Sequence, residues 1–112
     1  MLTFQKLHVY QRAIEFLAFV FELVNKIPRG HGDRIDQLVR SAESVPRNIA
    51  EGAGRWSRAD VLKHYKIARG EAMESAASLD ILRVQRLIEP ADYDRGLALL
   101  EEQVAMLTTM IT

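Results

Sequence analysis

The chain has 112 residues, of which 48% are hydrophobic and 27% charged, with 15 basic and 15 acidic side chains and no cysteine. That is the size and balance of a single globular domain over residues 1–112, and it excludes a disulfide framework and any cysteine-ligated zinc or iron–sulfur centre. No stretch approaches the roughly 18 apolar residues of a membrane span, and MLTFQKLHVYQR lacks the charged start, apolar run and small-residue cleavage site of a secretory signal; a cytoplasmic chain with no membrane partner is expected.

The first predicted helix carries Leu7, Tyr10, Ile14, Leu17, Phe21 and Val24 at steps of three and four, the spacing of one helical face. Ala13, Phe16, Val20, Leu23 and Ile27 form a second stripe beside it. Two stripes are more than packing within one bundle needs, so Phe16, Val20 and Leu23 are expected at an interface between copies of the chain. IPRGHG, with Pro28 and two glycines, ends the helix in a turn.

The second segment contains SVPRNIAEGAGR, in which a proline and two glycines interrupt a pattern that otherwise reads as helix. Phase decides between a loop and a helix. At about 100° per residue, Ile35, Leu38, Val39, Ala42, Val45, Pro46, Ile49 and Ala53 share one arc, and Gln37, Arg40, Ser44, Arg47, Asn48, Glu51 and Arg55 lie opposite. Neither arc resets at Pro46, which predicts one helix from Asp33 to about Ala53, kinked at the proline and ended by Gly52 and Gly54.

The third segment opens on Ser57 with Asp60 three residues on, a cap serine with an acid close to a capping box. No strong breaker follows before Pro90, so one long helix up to that proline is predicted. Pro90 itself suits the first turn of a fourth helix, which carries Tyr93, Leu97, Leu100, Val104, Leu107 and Ile111 at near-heptad spacing. Four such helices joined by short turns, with no alternating strand pattern, predict an all-α, antiparallel up-and-down four-helix bundle.

QLVRSAESVPRNIAEGAGR, followed by IARGEAMES, resembles the signature of the bacterial four helix bundle family, also called the 23S rRNA intervening-sequence protein (S23) family. The matches are Gln37, Arg40, Ala42, Ser44, Pro46, Asn48, Ile49, Ala50, Glu51, Gly52, Gly54, Arg55, Ile67, Ala68, Arg69, Gly70 and Glu74. FQKLHVYQRAIEF resembles the family's start, so the likeness covers essentially the whole chain. Val39 stands where the family has Arg, Ser41 and Glu43 where it has small or apolar residues, and Glu71 where it has Ser. The resemblance implies a left-handed bundle assembled as a homopentamer, no enzymatic activity, and kinship with a basic accessory protein of diversity-generating retroelements that works with a reverse transcriptase and RNA.

Charge is unevenly spread. From Arg34 to Arg69 eight bases face four acids, a net of +4, and from Gly70 onward three bases face eight acids, a net of −5. Arg40, Arg47, Arg55, Arg58, Lys63, Lys66 and Arg69 are therefore the candidate nucleic-acid contacts, supplying cations for phosphate. The motif residues Ser44, Pro46, Asn48, Glu51, Gly52 and Gly54 read either as part of that surface or as structure, with Glu51 pairing with Arg47 and Arg55 inside the helix. Trp56 can stack on a base or, as is commoner at a helix junction, cap the core.

Catalysis has little footing. His8, His31 and His64 lie on different segments, Asp60 and His64 offer at most two metal ligands one turn apart, and Gly52–Gly54 lacks the strand and lysine of a phosphate loop. No cofactor, metal or small-molecule substrate is expected. Two functions stand out: a homo-oligomeric accessory that binds RNA or a nucleic-acid-handling protein, and a protein-interaction scaffold without nucleic acid.

Overall fold

Four helices account for most of residues 1–112 in the computed structural model: α1 (His8–Val24), α2 (Gly32–Ala53), α3 (Arg58–Val84) and α4 (Pro90–Ile111), preceded by a 3₁₀ turn at Thr3–Lys6. Each packs on its neighbours in the chain, α1 and α4 close the square, and the whole measures 44 × 24 × 21 Å. This is the expected up-and-down four-helix bundle. No helix is long and apolar enough to cross a membrane.

Local chemistry sets the helix ends. Ser57 Oγ accepts the Asp60 amide at 3.1 Å and starts α3, while Pro90 occupies the first turn of α4. α2 runs unbroken through Pro46 and ends where the Gly54 amide donates to the Ala50 and Glu51 carbonyls. Gly52 lies inside this helix and does not end it. α3 is shorter than expected and stops at Val84. Arg86 takes φ 60, and the amides of Arg86 and Leu87 bond back to the Arg83 and Leu82 carbonyls. That paired closure is a Schellman motif, usually built on glycine; with arginine in the left-handed position the sequence carries no sign of it.

The core is one cluster drawn from all four helices, including Phe16, Val20, Leu23, Leu38, Ile49, Leu79, Leu100 and Leu107. Phe16, Val20 and Leu23 are 1%, 0% and 2% exposed, which overturns their expected place on an interface. The two stripes of α1 are equally apolar, and packing against α2 and α4 decides between them. Gly96 on α4 is part of the reason: an added Cβ would lie 2.7 Å from the Phe19 ring, so its missing side chain lets that face of α1 sink inward. The stripe left outside is Tyr10, Ile14, Leu17, Phe21 and Val24, with Ile14 and Phe21 exposed.

α2 and α3 also meet through polar groups. Ser41 and Ser75 are buried, and their hydroxyls lie 2.7 Å apart, with Ser41 Oγ donating onward to the Leu38 carbonyl. Both hydroxyls are thereby satisfied inside the bundle.

Candidate nucleic-acid interface

The bundle topology brings the last turns of α2 and the first turns of α3 to one end of the molecule, joined by the turn Gly54–Ser57. Arg47 and Arg55 come from α2 and its C-terminal turn, Arg58, Lys63 and Lys66 from α3, and all five side chains are exposed. Arg58 to Lys66 spans about 12 Å of helix axis, the length of a few nucleotides.

Pairing separates these cations into two groups. Arg55 is bonded to Glu51, one turn back, and Arg47 lies 3.8 Å from Glu43 with its side chain 78% exposed. Glu51 does not pair with Arg47, contrary to one expectation from the sequence. Arg58, Lys63 and Lys66 belong to no ion pair. In a segment of net positive charge they form the freest positive surface, the kind that attracts phosphate.

The other two expected contacts are placed differently: Arg40 lies farther along α2, and Arg69, beside Lys66 on α3, is tied to α4. Arg40 is seven residues before Arg47, about 10 Å up the α2 axis, in a polar cleft with Gln37, Ser41, Ser44, Glu71 and Glu74. Arg69 donates from Nε to Thr108 Oγ1 at 2.8 Å, a tie between α3 and α4. The polar stripe of α2 is thus divided: Gln37, Arg40, Ser44 and Asn48 turn toward α3, whereas Glu43 and Arg47 border a groove toward α1.

Most of the sequence motif is structural in its contacts. Asn48 donates from Nδ2 to the Ser44 carbonyl and hydroxyl (2.9 and 3.1 Å), and its Oδ1 lies 3.1 Å from His64 Nδ1. His64 is therefore engaged with Asn48 and not with Asp60. Gly52 is buried against α3: a Cβ there would sit 2.8 Å from the Tyr65 ring. Pro46 is buried, and Gly54, at φ −89, caps α2 without needing a left-handed backbone. His64 and Tyr65 are the motif's partners from α3. They lie 16 and 13 residues from Asn48 and Gly52, beyond any helical periodicity, so the sequence gives no signal of them.

Two groups here have displaced proton affinities. Glu71 is raised above the ordinary 4.5 by burial and then by Glu74 one turn on, and the Tyr65 hydroxyl is raised by burial. No three His, Cys, Asp or Glu side chains stand together to hold a metal ion. The chemistry on offer at this end is charge and, in Trp56, an aromatic face.

Trp56 does not cap the core. Its side chain is wholly exposed, and with Arg47, Ala50, Glu51, Gly54 and Arg55 it borders an open depression. Ser57 adopts the extended cap conformation (φ −91, ψ 147), so the chain enters α3 with the residue before the cap outside the bundle.

A family model described as 23S rRNA-intervening sequence protein matches residues 5–109. Among solved structures, the chain is similar to a protein of unknown function from the S23 ribosomal protein family of Bacteroides thetaiotaomicron VPI-5482. The two are 25% identical, the match covers 93% of this chain and 98% of that one, and the TM-score is 0.86. No curated protein matches the chain.

Proposed function

The chain belongs to the 23S rRNA-intervening sequence protein family, and from that premise we propose that it is a non-enzymatic, homo-oligomeric accessory that binds RNA at the basic end of its bundle. The observation that carries this is the set of free cations: Arg58, Lys63 and Lys66 are exposed and unpaired, with Arg47 in the last turns of α2 and Arg55 in the turn that follows it. Arg40 and Arg69 contribute to the field and not to contacts. No base-reading group is fixed there, so binding is weak and indifferent to sequence, and it depends on phosphate.

Filter binding of a labelled RNA at low and moderate salt tests this, with the Arg58→Glu/Lys63→Glu variant beside the parent. The expected result is retention that falls steeply with salt and is lost in the variant. Absence of retention at low salt, or equal retention by both proteins, overturns it. A scaffold that binds only protein is the second reading, favoured by the exposed apolar stripe of α1 along the groove with α2. It predicts no RNA retention at any salt.

A further inference from the structure

Trp56 has no structural task in the folded chain. A residue directly before a helix cap commonly packs on the residue four into the helix, as a hydrophobic staple. Here that partner is Val61, which instead lines an apolar recess with Leu2, Phe4 and Tyr65. The indole, at 101% relative exposure, takes no part in it, and its N–H has no hydrogen-bond partner in the chain. Tryptophan is highly buried on average, so this ring, wholly in water, has its whole face open to a ligand.

Its backbone is nevertheless held. The Gly54 and Arg55 amides bond back to α2, at the Ala50, Glu51 and Gly52 carbonyls, and Ser57 is fixed by its cap bond to Asp60. The ring is thus carried on a short turn anchored on both sides, between Arg55 and the unpaired Arg58.

We infer that Trp56 is a stacking platform for an unpaired base, and that the nucleic acid this protein takes is single-stranded RNA or an RNA loop. The inference rests on the RNA-binding reading above and narrows it. In a duplex the base faces are covered by their neighbours, and the deep, narrow major groove of A-form RNA does not admit a side chain to them. A free indole can cover only a base that has left the stack. Cations on both sides of the ring then hold the flanking phosphates, the combination by which single strands are bound without regard to sequence.

Trp56 is the only tryptophan in the chain, so its fluorescence reports this contact alone. The experiment titrates the protein at low salt with a 12-nucleotide uridine-rich RNA and with the same RNA annealed to its complement, following emission and, separately, filter retention. Stacking is expected to quench the emission with the single strand and not with the duplex. Trp56→Ala is expected to weaken single-strand retention by roughly tenfold, within the range for one stacked base, with the slope against salt unchanged and Trp56→Phe restoring most of it. Because the ring makes no intramolecular contact, circular dichroism of all three proteins is expected to coincide. Equal binding of single strand and duplex, or retention untouched by Trp56→Ala, overturns the stacking platform while leaving RNA binding by the cations intact. No retention of either RNA overturns both.

Discussion

A methyl group at position 52 has no room. It would stand 2.8 and 2.9 Å from two ring carbons of Tyr65 and 3.1 Å from the His64 Cβ. Alanine is worth about 1 kcal/mol over glycine within a helix, but overpacking a filled contact costs about 1–3 kcal/mol. Here the obstacle is a buried aromatic ring, so the second effect wins. Gly52→Ala is expected to lower the thermal midpoint by roughly 5 °C; an unchanged or raised midpoint would show that Tyr65 swings aside at no cost. Glu71 tests a different property at the same scale. Its carboxyl is held above 4.5 first by burial and then by Glu74, in the cleft it shares with Arg40. With the folded value above the unfolded one, the folded state binds the extra proton, and stability falls as pH rises through that window. Glu71→Gln removes the ionisation. The variant is expected to match the parent in thermal midpoint near pH 4 and exceed it at pH 7, and a variant less stable at pH 7 would mean that Glu71 is held there by Arg40.

Among the helices, α2 carries the main lesson about what a sequence discloses. Its amphipathic phase crosses Pro46 without a reset, and the folded helix does run unbroken from Gly32 to Ala53. Pro46→Ala returns an amide that can donate to the Ala42 carbonyl, but removes a ring buried against the α1 groove. The two changes oppose each other, so helical ellipticity is expected to stay the same and the midpoint to move little. A large loss of helix in circular dichroism would contradict a continuous α2. Periodicity disclosed the four helices because each must bury one face, and that requirement is written at steps of three and four. It did not disclose which stripe of α1 is inner, since Phe16 and Phe21 are equally apolar and only tertiary packing, the fit of Phe19 against Gly96 included, separates them. Nor did it disclose the end of α3, where Arg86 takes a conformation that glycine would have advertised. In the candidate interface, the cations were legible as a composition bias along the chain. The Arg55–Glu51 pair was legible too, as helical spacing; the rest of their division was not, since whether Arg69 finds Thr108 or Arg58 stays free depends on distances between helices. Trp56 was legible as a residue, but its exposure follows from the extended backbone at Ser57.

For the whole molecule, the exposed face of α1 and the charge distribution lead to the same prediction. The apolar residues left in water on α1, Ile14 and Phe21 with half-covered Tyr10, Leu17 and Val24, form a continuous stripe beside a groove that α2 walls with Pro46, Arg47 and Ala50. A folded chain that stays dispersed seldom leaves such a stripe uncovered. The +4 segment runs from α2 into α3, and the −5 segment covers the rest of α3 and α4. A second copy can therefore set an acidic side against a basic one, and a contact between two different faces closes into a ring when its rotation allows. The family resemblance puts the number of copies at five. The parent protein is expected to elute, by light scattering coupled to size exclusion at micromolar concentration, at a closed multiple of 12.7 kDa that matches five chains. Ile14→Lys/Phe21→Lys, which alters only exposed positions, is expected to lower that mass while keeping the helical spectrum. Phe16→Ala and Leu23→Ala are expected instead to destabilise the fold by about 2–5 kcal/mol each through lost core packing, and so to lower the thermal midpoint, because those side chains hold the monomer together. A parent that runs as one chain rules out the ring, and a Lys variant of unchanged mass moves the interface off α1.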